Sequence, residues 1–98
     1  MWLRDIQNLQ HGTLVDVRNR EEYDLNHIPG AVNIPWDIHL YYLDELQELP
    51  RPWILFCEEG YRSGLVALSL KALGFEEVYN GGSWRDAAQE LDEIEAAA

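Results

Sequence analysis

The chain has 98 residues, enough for one small domain with a single modest core, and 47% of them are apolar, with four Trp, five Tyr and two Phe. That apolar and aromatic content argues against disorder. Seven Lys+Arg against 18 Asp+Glu give a formal charge of −11, which argues against nucleic acid or an anionic membrane as partner and disfavours anionic substrates at long range.

Residues 2–10 place Trp2, Leu3, Ile6 and Leu9 near one face and predict a short helix. Leu14-Val15-Asp16-Val17 follows His11-Gly12 and reads as a buried strand. Asn19 is a candidate cap for a helix from Arg20 to Leu25, with Glu21 and Glu22 in the first turn, where carboxylates are favoured. Asn26 is expected to end it in the left-handed conformation. Pro29-Gly30 signals a turn, and Ala31 to Ile34 a short strand stopped by Pro35. Residues 37–48 predict a helix, with Ile38, Tyr42, Leu46 and Leu49 near helical spacing and Pro50 and Pro52 ending it.

Trp53 to Phe56 is an apolar run expected to be a central strand, buried on both faces. Residues 62–73 predict a helix closed by Gly74. Glu77-Val78-Tyr79 reads as a short strand and Asn80-Gly81-Gly82 as a tight turn. Ser83 is expected to cap a last helix to about Glu93, with 94–98 frayed. Strands alternating with helices predict an α/β domain over 1–98 with a mainly parallel sheet. In such sheets the site lies beyond the carboxyl ends of the strands, where Asp16, Cys57 and Asn80-Gly81-Gly82 all fall.

Cys57 is the only cysteine. It forms no intramolecular disulfide, so an external thiol must resolve any sulfur adduct on it. It ends an apolar strand ahead of a Gly-containing loop and a helix N-terminus. Converging N–H groups and the helix dipole stabilise a thiolate there, the nucleophilic form. Gly60 lets the chain turn back so that successive N–H groups aim at one spot. His11 and His39 have no partners at ligand spacing, so no metal is expected. No cofactor is implied. Met1 to Ile6 lacks the basic and apolar segments of a signal peptide, and no apolar run approaches the ~20 residues of a membrane span. A cytoplasmic location is the expectation.

Three ordered segments resemble the rhodanese family, over residues 13–88. They are Asp16-Val17-Arg18 with Glu22-Tyr23 and His27 to Pro35, then Cys57 to Ser63, then Gly74-Phe75 through Gly81-Gly82 and Trp84. The resemblance implies an α/β fold: a small parallel sheet of four or five strands, flanked by helices on both faces. It implies a sulfurtransferase whose Cys57 takes sulfane sulfur from a donor, holds it as a persulfide and passes it to a thiol or cyanide. Glu58, Glu59, Gly60, Tyr61, Arg62 and Ser63 would bind the substrate, their amides stabilising the terminal sulfur.

Support for the loop is expected from Asp16, Arg18, Glu22, His27, Gly81 and Gly82. Asp16 and Arg18 form a candidate buried network, and Arg62 is poised either for a bound anion or for Glu22 or Glu59. His27 reads as structural, Tyr61 as a pocket wall, and Trp36 and Trp84 as core. Related phosphatases and arsenate reductases commonly carry a loop one residue longer than the C-x-x-x-x-R here. The shorter loop favours sulfur over phosphate.

Two departures from the family stand out. Glu58 and Glu59 occupy positions that are often basic in loops acting on thiosulfate. With Arg62 they leave the loop net negative, which repels an anionic donor, and nearby carboxylates raise a thiol pKa, so thiosulfate is expected to be a poor donor. The usual extra N-terminal edge strand is not evident in residues 1–12, leaving four strands or one reduced to Met1-Trp2. The −11 charge also motivates an alternative, an acidic protein-binding or sulfur-relay module that docks a basic partner.

Overall fold

The computed structural model describes residues 2–97, and among these four parallel strands form one sheet. They are β1 (Thr13–Asp16), β2 (Val32–Asn33), β3 (Trp53–Cys57) and β4 (Val78–Ser83), in the order β2-β1-β3-β4. Met1 lies outside the described residues, and Trp2 belongs to no strand. Every residue of β3 is buried, as the apolar run requires of an interior strand covered on both faces.

The helices are α1 (Arg20–Leu25), α2 (Leu43–Gln47), α3 (Tyr61–Ala72) and α4 (Trp84–Ala97). Two cores lie on opposite faces of the sheet. On one, Val15, Leu55 and Cys57 meet Leu46 of α2 with Val66 and Leu70 of α3. On the other, Ile54 and Phe56 meet Leu3 and Ile6 with Trp84 and Ala87 of α4. The alternation of side chains along β3 feeds both cores.

Several local expectations change. Residues 2–10 form no α-helix: two 3-10 turns, Leu3–Asp5 and Leu9–His11, are separated by Asn8 in the left-handed region at φ 63°. Leu3 and Ile6 still reach the core, so burial rather than helical regularity satisfies their pattern. The stretch 37–48 is divided. A 3-10 segment, Trp36–Tyr42, departs from helical angles at Ile38 and precedes the short α2. Asn26 is extended, at φ −169°, instead of left-handed. At α3 the end is a Schellman motif: Gly74 is at φ 96°, its N–H bonds the Lys71 carbonyl, and the Phe75 N–H bonds that of Leu70.

Asn80-Gly81-Gly82 is not a turn but the middle of β4. Leu55 pairs with Asn80 and Phe56 with Gly82, so Gly81 is the extra residue of a bulge. A Cβ there would stand 2.6 Å from Phe56 and 2.7 Å from Ile54. The strand continues to Ser83, and α4 starts at once with Trp84. That helix runs on to Ala97 instead of fraying from Ile94, because Leu91 and Ile94 pack against the second core.

Candidate active site

The carboxyl ends of β1, β3 and β4 meet where Cys57 closes β3 and the chain turns into α3. Gly60 makes that turn possible: it sits at φ 98° with its α-carbon face against Gly82, 3.2 Å from where a Cβ would be. The loop then folds back on the sulfur. Gly60 N–H points at Cys57 Sγ from 2.9 Å and Ser63 N–H from 3.3 Å. Ser63 Oγ is a further 3.3 Å neighbour. The Cys57 side chain is only 1% exposed, so sulfur lies at the bottom of the cradle while Glu59 and Tyr61 stand at the surface.

Burial pushes the Cys57 thiol up, and hydrogen bonds from Ser63, Gly60 and Glu59 push it down. The donors win, and the pKa lies below the ordinary 9.0. The net shift is downward even with Glu58 and Glu59 in the loop. Glu58 is engaged elsewhere: its carboxylate pairs with Arg85 of α4 and lies 3.9 Å from Arg18. Both guanidiniums sit over the Trp84 ring, at 4.6 Å for Arg18 and 4.8 Å for Arg85. Trp84, buried in the second core, is thus also the floor under the ion pairs that hold Glu58.

Arg62 does not point to an open anion site. Its two terminal nitrogens grip Glu22 of α1 at 2.7 and 3.1 Å. This fork lowers the Glu22 pKa and raises that of Arg62, against the desolvation each suffers. The same Glu22 accepts the Asn19 N–H at 3.0 Å, so the start of α1 and the start of α3 share one carboxylate.

Asp16 and Arg18 are both buried and joined through three side-chain contacts of 2.8–3.1 Å. Arg18 also donates to the Asn26 carbonyl at 2.6 Å, which ties the end of β1 to the end of α1. His27 stays away from the sulfur. It stacks on Tyr23 at 3.8 Å between ring centroids, and its Nδ1 bonds the Tyr23 carbonyl at 2.7 Å. Tyr61, 77% exposed, stands at the surface of the loop. Gly81 and Gly82 serve the bulge that brings β4 against Gly60.

Asn80, placed near the site by its strand-end position, has a role in the loop that the sequence did not show. Asn80 of β4 donates to the Gly60 carbonyl at 3.0 Å, and its Oδ1 accepts from Ser63 Oγ at 2.7 Å and from Gly82 N–H at 3.0 Å. Its position before two glycines at a strand end placed it near the site but named no partner.

The family model for the Rhodanese-like domain matches residues 2–87. A putative sulfur carrier protein, YrkF of Bacillus subtilis, is 40% identical over 67 residues, which cover 68% of this chain and 36% of that protein. The adenylyltransferase and sulfurtransferase UBA4 of Meyerozyma guilliermondii is 35% identical over 80 residues, 74% of this chain and 19% of that protein. The chain therefore spans little more than a third of the first of these relatives and about a fifth of the second. The human single-domain sulfurtransferase TSTD1 has a solved structure that superposes with a TM-score of 0.62 at 27% identity, covering 93% of this chain and 89% of that one. A glycine-turned loop that aims amides at a strand-end sulfur thus comes with a family match over nearly the whole chain, and the chain belongs to the rhodanese-like domain family.

Proposed function

We propose that this domain transfers sulfane sulfur through a persulfide on Cys57. The observation that carries the reading is the pair of N–H donors, Gly60 and Ser63, aimed at Sγ. In the first half-reaction the Cys57 thiolate attacks the sulfane sulfur of a donor. An S–S bond forms at Sγ, the donor's bond to that sulfur breaks, and the leaving group departs with the electron pair. In the second, a thiolate or cyanide attacks the outer sulfur, and the Sγ–S bond breaks to return the thiolate. No net oxidation occurs. Amides directed at the sulfur stabilise anionic character on thiolate and persulfide alike.

The donor is neutral or protein-bound rather than thiosulfate. Arg62 is occupied by Glu22, and Arg85 and Arg18 by Glu58, so none of these guanidiniums is free for a dianion. Burial of the sulfur adds a steric condition: the donor's sulfur must enter past the loop rim. The relatives named as a sulfur carrier and as a sulfurtransferase support a protein donor or acceptor, and the −11 charge suits a basic one.

The test is intact mass after mixing with thiosulfate, glutathione persulfide or a cysteine desulfurase loaded with its substrate. Gain of one sulfur atom, lost in Cys57→Ser and reversed by a thiol, is the expected result. No adduct from any of the three overturns the reading. A low Michaelis constant for thiosulfate at low salt overturns the donor preference alone.

A further inference from the structure

The orientation of the Asn80 amide is decided by partners that have only one role each. The Gly82 N–H can only donate, so it faces Oδ1, and the Gly60 carbonyl can only accept, so it faces Nδ2. The oxygen turned toward Ser63 is thus an acceptor, 2.7 Å from Oγ. Ser63 has one hydroxyl proton. Donated to Asn80, it leaves only lone pairs facing Cys57 Sγ at 3.3 Å. That arrangement suits a thiol, whose S–H can donate to Oγ. It does not suit a thiolate, which needs the same proton from Ser63.

We propose that Asn80 is a positioning residue for the sulfur site, acting through Ser63. The serine hydroxyl is a one-proton switch: it serves Asn80 when Cys57 is a thiol and turns to sulfur when Cys57 is a thiolate. In a persulfide the inner sulfur carries no ionisable proton and the charge sits on the outer atom, so the hydroxyl returns to Asn80. Asn80 therefore competes with the thiolate for a donor while holding the loop in shape at Gly60. This rests on Cys57 being the sulfur-bearing group.

The neighbouring charges do not share this role. Asp16 is bound to Arg18, Glu22 to Arg62 and Glu58 to Arg85, while Glu59 is exposed on the loop. A neutral substitution at Asn80 leaves all of them in place.

Asn80→Ala removes the competitor, and Ser63 then donates to the thiolate without giving up a bond. The expected result is a threefold to tenfold larger thiolate-to-thiol ratio at a given pH, roughly what one neutral hydrogen bond is worth. Ultraviolet absorbance of the thiolate, titrated against a Cys57→Ser baseline, reads it cleanly because the chain has one cysteine. A general loosening of the loop predicts the opposite sign, since the amides would lose their aim. In a Ser63→Ala background the Asn80→Ala effect should vanish. An unchanged or smaller thiolate fraction in Asn80→Ala, or an equal rise without Ser63, overturns the proposal.

If Asn80→Ala does not fold, Asn80→Asp serves. Its carboxylate holds the Ser63 proton harder, and the thiolate ratio should drop more with Ser63 present than in Ser63→Ala. Equal drops overturn the proposal. No sulfur donor is used, so titration as expected in a protein that takes up no sulfur supports the switch and removes only the carrier reading.

Discussion

Cys57 is almost sealed from water, yet its ionisation is easier than that of an ordinary thiol, because donors outweigh desolvation. This has a consequence for folding. A thiol with a depressed pKa stabilises the folded state only once it ionises. The contribution begins near the folded pKa, grows with pH and is complete above the unfolded value of about 9.0. Cys57→Ser lacks it. The stability difference between wild type and Cys57→Ser, from denaturant melts, should therefore widen from neutral pH toward pH 9; a difference that narrows contradicts the donor geometry. Glu22 behaves in the opposite pH range. Its pKa is held below 4.5, chiefly by Arg62. The stability it adds is present above 4.5 and is lost as pH falls through the folded value. Glu22→Gln should cost about 1 kcal/mol near neutrality, as expected for a partly exposed bidentate pair. The cost should disappear in acid, as melts at several pH values would register.

At the scale of elements, the bulge in β4 sets how closely that strand approaches the loop. Gly81 lies against Phe56 and Ile54, both fully buried, and neither can yield room. Gly81→Ala should cost about 1–3 kcal/mol, as overpacking does, read as a lower denaturation midpoint. Gly60→Ala acts differently. Its φ of 98° is costly for alanine, and a Cβ would press on Gly82. That substitution should lower sulfur loading of Cys57 more than it lowers stability, since the Gly60 amide loses its aim. Loading by intact mass and melting of the same sample separate the two.

For the whole molecule the net charge of −11 is the dominant long-range term. Like charges on a domain with a 12.4 Å radius of gyration repel one another in the folded state more than in the expanded chain. Added salt should raise the melting temperature by a few degrees, because screening relieves more repulsion than it weakens in the few surface ion pairs. A fall in melting temperature between low and physiological salt contradicts this balance. No helix among the described residues is long and apolar enough to cross a membrane.

Much of this architecture was legible in the chain itself. The continuous run Trp53 to Phe56 marks an interior strand, Asn19 with Glu22 marks the start of α1, and Gly74 marks the end of α3. Each is a local signal, set by periodicity, a cap or a backbone angle. The loop from Cys57 to Ser63 was legible for the same reason: its N–H groups and sulfur are close in sequence. Where two local solutions were nearly equal, tertiary packing decided. The apolar residues of 2–10 are buried by two 3-10 turns as well as by a helix, and Asn80-Gly81-Gly82 is drawn into β4 by pairing with β3. The choice of Glu22, 40 positions away, over Glu59 or a bound anion as the partner of Arg62, and the link from Asn80 to Ser63, follow only from the meeting of α1, α3 and β4. Residue type and local order settle which groups can donate, accept or turn; the fold chose which of them meet, because contact between distant residues depends on the whole sheet rather than on any one segment.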